Sequence, residues 1–420
     1  MRAPSKGRDA WPVAIALILL AGCSAGHLTV RTDRANYSHA IQRSSNEQLL
    51  LNLVRLRYSE LLSFVVVNSI SAQFKYGIGG GLDTELLEGG PNILMPHGVM
   101  AYAEQPTITY SPLQGSDFAT RVLQELDMSD FALLAGGGRN IERVMRVVVE
   151  RIGGLRNDRD MEPGPDGGES SYSRFARLMR VWGRAQREGD LFLRLVPSEE
   201  PVIEGGVATR DATLGDIIHA GKEGMRLRQG KQGGIEVVKP GIPSLIVCVY
   251  YRDERDAELV RRCLNTKPKR APFLDGRTYE LIRLVSFVQW SRHETHNEDD
   301  IPEVPVQFRS FADILNYAAV SVQVPKEDVK KGRVAVGYDK DRRVLDHGAL
   351  MKDLLSVRCT SMRPTNALVV VRHRGHWFSI DDSDVTSKRT FGLLGLVFAL
   401  QAGDMQSTGP LLTLPIGGAG

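Results

Sequence analysis

Cysteine is scarce in this chain, with four residues in 420. Apart from Cys23, near the N-terminus, there are Cys248, Cys263 and Cys359, and three thiols leave at least one unpaired, so no disulfide framework holds the fold. No strong charge of one sign is present either: 53 Lys and Arg face 50 Asp and Glu, for a formal net charge of +3. That balance gives no electrostatic footprint for nucleic acid. Apolar stretches long enough to cross a membrane as a helix, roughly 20 residues, are lacking. Phe391 to Leu400 is too short and reads as a buried helix. Catalytic signatures are missing as well. There is no His-Glu-x-x-His and no Gly-x-Ser-x-Gly, and the glycine runs Gly77–Gly81 and Gly136–Gly138 lack the Lys-Ser or Lys-Thr of a phosphate loop. No cofactor is implied.

What is present begins at the N-terminus. Arg2, Lys6 and Arg8 precede the uncharged stretch Trp11 to Leu20, the order of an export signal. The stretch ends in Leu20-Ala21-Gly22-Cys23, which resembles the bacterial lipobox, where a diacylglyceryl group joins the thiol before cleavage in front of the cysteine. Several acyl chains on Cys23 suffice for stable anchoring, since each buried methylene contributes about 0.8 kcal/mol. Removal of the leader takes away Arg2, Lys6, Arg8 and Asp9 and lowers the formal charge from +3 to +1. By resemblance to sorted lipoproteins of two-membrane bacteria, Ser24 implies the outer membrane and a body facing the periplasm.

Hydrophobic residues at 42% and charged residues at 25% describe a globular body. After a signal peptide over 1–22 and a lipidated tether over 23–36, the spacing of Leu49, Leu53 and Leu56 predicts a helix from Tyr37 to Tyr58. From Phe64 to Tyr76 the period changes to two: Phe64, Val66, Ile70, Ala72, Phe74 and Tyr76 share one face, and Ser69, Ser71, Gln73 and Lys75 the other. Val99 to Tyr110 is its expected antiparallel partner, with 77–98 as a long glycine-rich loop. Three short helices follow, and 37–155 forms an N-terminal α+β region. The glycine- and proline-rich stretch 156–170 reads as a linker to a C-terminal α+β region over 171–420. There, Leu368–Arg372 and Trp377–Ile380 form a hairpin, and Ser383 or Asp384 caps a last helix. The fold class is α+β, with mostly antiparallel strands.

Two clusters carry candidate chemistry. His293 and His296 lie three apart among carboxylates, and neutral imidazole with carboxylate suits zinc or another divalent ion. The neighbouring Asp299-Asp300-Ile301-Pro302 marks a polar loop, and solvated loops of this composition are common. His373 and His376 join Asp381 around the hairpin, but aspartates at this place also suit the N-terminal dipole of the following helix. The run Lys267-Pro268-Lys269-Arg270 reads as a solvated loop.

Four segments together resemble a family of uncharacterised bacterial lipoproteins: Asn46–Tyr58, Pro106–Leu113, Trp377–Asp382 and Leu412–Gly417. The resemblance implies an envelope location and carries over no catalytic residue. The sequence thus points to a lipid-anchored envelope protein with a structural or protein-interaction role, its contacts being the membrane through Cys23 and an envelope protein. A metal-dependent hydrolase acting on envelope material is the alternative.

Overall fold

The computed structural model describes residues 25–85, 93–113, 115–157, 169–201, 214–229, 235–292, 301–335, 351, 353–402 and 412–415. They form an α+β fold with mostly antiparallel strands. The chain divides into two compact units: Met1–Asn52, Leu62–Gln114 and Ser407–Gly420 make the first, and Leu53–Leu61 with Gly115–Gln406 the second. Both flanks of the expected 156–170 linker belong to the second unit, and 158–168 lie outside the described residues.

The first helix, α1, runs Ala25–Arg57. It starts well before the expected Tyr37, because the polar stretch read as a tether contains no proline and supports helical backbone. In the first unit, β1 (Phe64–Glu85) pairs with β2 (Ile93–Leu113) in one long antiparallel ladder. This corrects the reading of 77–98 as a loop. Gly79 pairs with Val99 and Gly81 with His97, so the glycines continue the strand, and only 86–92 connect the two. Glycine weakens a strand through entropy without preventing its pairing, which is why composition alone misplaced this boundary. The register shifts once, between Val67 and Ser69.

The root of the ribbon is fixed by side chains from α1. Asn52, fully buried, donates from Nδ2 to the Ser63 carbonyl at 2.8 Å and accepts from the Ser63 N–H at 3.0 Å. One turn earlier, the Gln48 carboxamide meets the Val65 peptide in the same way, donating at 3.1 Å and accepting at 2.8 Å. Two carboxamides four residues apart therefore imitate a strand and satisfy peptide groups where β1 begins.

In the second unit the helices α2 (Ser116–Leu123), α3 (Met128–Gly136) and α4 (Ile141–Val148) lead into β3 (Val149–Ile152) and β4 (Leu155–Arg156). Then come α5 (Ser171–Arg187), β5 (Leu191–Pro201), α6 (Leu214–Lys222), β6 (Arg226–Gln229), β7 (Ile235–Val249), α7 (Glu254–Leu264), β8 (Lys269–Pro272) and β9 (Thr278–Ser286). The chain continues through α8 (Phe287–Arg292), β10 (Glu303–Phe308), α9 (Phe311–Ala319), α10 (Lys326–Lys330), β11 (Arg358–Thr360), β12 (Ala367–His373), β13 (His376–Asp381) and α11 (Val385–Ala402). Last, β14 (Leu412–Pro415) returns to the first unit and pairs with β2. Local signals set several boundaries. Asp127, Asn140, Ser170 and Ser310 cap α3, α4, α5 and α9 by accepting backbone N–H groups, and Asn265 closes α7 in the left-handed region.

The main sheet has eight strands, with a path β4-β3-β10-β9-β7-β5 and with β6 and β8 attached to β7 and β9. Only β9 and β10 run parallel, and α8 begins the crossover between them. A second, three-stranded sheet orders β11-β13-β12. Trp182, Phe175 and Leu178 of α5, Val247 and Val249 of β7 and Leu284 of β9 are completely buried. Beside them Arg309, 4% exposed, donates from Nη1 to the carbonyls of Val147 and Val149 at 3.1 and 2.7 Å, and from Nη2 to that of Asn157. Its guanidinium lies over the Tyr317 ring at 3.9 Å, and Tyr317 donates to Asn157 Oδ1 at 3.1 Å.

Replacing Asn52 with Ala removes two part-buried hydrogen bonds to the Ser63 peptide at the start of β1. The expected result is a loss of about 1–3 kcal/mol of stability, read as a lower urea midpoint. An unchanged midpoint would show that the clasp contributes nothing.

Candidate functional site

In the second unit one cluster of charged and aromatic side chains surrounds the β12–β13 turn. His373 and His376 pair at the end of the ladder, leaving Arg374 and Gly375 as the two turn residues, with φ of 47° and 83°. Two positive φ values are what a type I′ hairpin turn requires, and asparagine and glycine are its usual occupants. An arginine here carries backbone strain of about 1–2 kcal/mol, so its side chain must be held for another reason. Arg374 Nη2 and Nε donate to Glu60 Oε1 at 2.7 and 3.1 Å, and its guanidinium lies 4.9 Å from the Tyr58 ring centroid. His373 Nε2 sits 3.3 Å from Glu60 Oε2, within ion-pair reach but off the hydrogen-bond line. Its ring is also 5.5 Å from that of Tyr58.

Tyr58 connects this group to a second carboxylate. Its hydroxyl donates to Asp328 Oδ2 at 2.8 Å, and Arg333 Nη1 donates to Asp328 Oδ1 at 2.8 Å. The hydrogen bond from Tyr58, with Arg333 behind it, holds the Asp328 carboxyl below its ordinary range against the opposing effect of burial. Burial and the nearby Asp328 charge push the Tyr58 phenol well up. Burial works to raise Glu60, but Arg374 and His373 outweigh it and hold this carboxyl down. Weakened carboxylate bases and a weakened phenol acid are poorly matched to proton transfer near neutrality. The arrangement acts as a latch joining the Tyr58–Glu60 segment to the β12–β13 turn and to α10.

The candidates from sequence fall in three places. His293, His296 and Cys23 lie outside the described residues. His373 and His376 meet across the turn, whereas Asp381 pairs with Ala367 at the opposite end of the hairpin, so the three do not converge. Asp381 accepts from the Ser383 N–H at 2.9 Å and from Arg358 at 3.0 Å, and Asp384 caps α11 by accepting from Ser387 N at 3.0 Å. Among the described residues no three His, Cys, Asp or Glu side chains come together in a metal-binding group. Sequence reasoning missed Tyr58, Glu60, Asp328 and Arg374, since partners 270 and 314 positions apart leave no local signal.

Two further features belong to the main sheet. Phe192, Phe273 and Tyr279 form an aromatic group with ring centroids 4.7 to 5.4 Å apart, and Tyr250 adjoins it. Phe192 and Phe273 are 38% and 36% exposed, and Leu274 beside them is fully exposed. Apolar surface of this kind marks contact faces. Below the patch, buried Asp190 receives Arg252 and Arg277, and buried Glu280 receives Arg261 and Arg270. The three described thiols are free, and burial raises each, Cys248 up to about 11, which makes them weak nucleophiles. The exposed Lys267–Arg270 run corrects the solvated-loop reading in part: Lys269 and Arg270 begin β8, and Arg270 pairs with Glu280.

Tyr58→Phe removes the hydroxyl that donates to a charged carboxylate, so the expected loss at pH 7 is about 1.5–3 kcal/mol. Because the folded carboxyl of Asp328 titrates below its unfolded value of about 3.9, this contribution is complete above that pH and is lost as pH falls through the depressed folded value. Urea midpoints of the two proteins should therefore approach each other only in the acid range. A gap that closes instead between pH 5 and 8 would refute the assignment to Asp328.

Compared with protein-family models, curated proteins and solved structures, the chain matches none.

Proposed function

We propose that this chain is a lipoprotein of the bacterial outer membrane, held by acyl chains on Cys23, with its body facing the periplasm and serving a structural or protein-interaction role. The observation that carries the reading is the order of the first residues: basic Arg2, Lys6 and Arg8, uncharged Trp11–Leu20, then Leu20-Ala21-Gly22-Cys23. Membership of the lipoprotein family that the four segments resemble is part of the same proposal. No helix among the described residues is long and apolar enough to cross a membrane.

The interaction role draws support from the open aromatic patch of Phe192, Phe273 and Leu274. It also draws support from the latch, in which the carboxylates of Glu60 and Asp328 are occupied by arginines of the same chain. Such a body presents rigid surfaces to an envelope partner.

Cys23→Ser is expected to remove the mass of the acyl groups from the mature chain. An unaltered mass would overturn the proposal. In the same preparations His293→Ala with His296→Ala should leave metal content unchanged on elemental analysis. A stoichiometric divalent ion lost in that variant would favour a metal-dependent hydrolase instead.

A further inference from the structure

The β1–β2 ladder is longer than any hairpin a compact body needs. Its strands have 22 and 21 residues, about 70 Å at 3.3 Å per residue. Paired residues share a face, and the register sorts them. One face takes Tyr76 with Tyr102, Ile78 with Met100, Gly80 with Gly98, Leu82 with Pro96 and Thr84 with Leu94. The other takes Lys75 with Ala103, Gly77 with Ala101, Gly79 with Val99, Gly81 with His97 and Asp83 with Met95.

On the first face no charged residue occurs from Tyr76 to Thr84 or from Leu94 to Tyr102, and Glu104, opposite Phe74, ends the uncharged band. Each arm of this band matches the roughly 9 to 11 residues with which a tilted strand crosses a bilayer. Tyr76 opposite Tyr102 stands at its border, where membrane barrels carry aromatic girdles. Lys75, Asp83 and His97 all fall on the second face, which suits a wet lumen. Alternation is clearer in β1 than in β2, where Ile93, Met95, Val99, Ala101 and Ala103 also lie on the second face.

Among the described residues the ribbon is not closed: β1 has β2 as its one strand partner, and β14 covers β2 only from Thr107 to Tyr110. Open strand edges are not stable in hydrocarbon, so an inserted ribbon needs neighbours on both sides. Pro96 and Pro106 have the same parity on β2, so the donors they lack belong to one edge, the weaker of the two seams.

We propose that β1–β2 is the repeat unit of a transmembrane β-barrel assembled from several copies of this chain, with the Ile78–Met100 face against the acyl chains. The inference rests on the envelope location proposed above and adds a channel-forming role to it.

The test uses the full mature chain with Cys248, Cys263 and Cys359 replaced by Ala. Single cysteines are introduced at Gly77, Ile78, Gly79, Gly80, Gly81 and Leu82 and labelled with a polarity-sensitive fluorophore. In phosphatidylethanolamine–phosphatidylglycerol vesicles carrying an acyl-chain quencher, positions 78, 80 and 82 should shift to the blue and lose emission. Positions 77, 79 and 81 should do neither, and a lysine crosslinker should give oligomers. Adding Ile78→Arg should reduce quenching at position 82 by about tenfold or more, whereas Gly79→Arg should leave it in place. Uniform emission at all six positions, or alternation in a chain that crosslinks only as monomer, would overturn the proposal. If Cys23→Ser removes the acyl mass while the six positions emit alike, the anchor stands and the barrel fails. If the mass is unaltered while the six positions alternate, the anchor alone fails.

Discussion

Peptide groups that no strand ladder pairs must find partners, and in both units of this protein side chains supply some of them. Asn52 and Gln48 present carboxamides to the Ser63 and Val65 peptides at the start of β1. In the second unit Arg309 gathers the carbonyls of Val147, Val149 and Asn157, and Asn157 Nδ2 donates to the carbonyls of Arg146 and Val149 at 2.9 and 2.6 Å. Leaving such groups unpaired in a dry interior costs about 1–3 kcal/mol each, comparable with a sizeable share of a domain's net stability. The buried polar residues are thus part of the fold's specification.

The latch around Tyr58 follows the same logic with charges. Arg374 stands in a backbone region that favours glycine, and the ion pair with Glu60 and the stacking on Tyr58 offset that strain. Asp328 is shared between a phenol and a guanidinium, and Glu60 between a guanidinium and an imidazole. Each carboxylate is stabilised in its charged form, so the cluster contributes rigidity near neutral pH and loosens in acid.

These features give a body that holds its shape. The acyl anchor proposed for Cys23 and the ribbon are separate devices. The first depends on one sulfur atom, and the second on a period-two pattern that is clearer in β1 than in β2. An anchor would bring copies of the chain to one plane, where lateral pairing of strand edges is an encounter in two dimensions.

Sequence by itself determined the elements with local causes. The period-two run from Phe64 to Tyr76, the cap at Asp384 and the hairpin around His373–His376 were all legible, because each depends on neighbours a few residues away. The α+β class followed from the same signals. Tertiary structure alone decided that Gly77–Gly81 continue β1, since a glycine run reads as a turn until a partner strand supplies the ladder. It also decided that His376 and Asp381 sit at opposite ends of their hairpin, and that Glu60 and Asp328 complete a site around Tyr58. The contacts of Tyr58 with Asp328 and of Glu60 with Arg374 span 270 and 314 residues, and their energy exists only once the chain has brought both ends together.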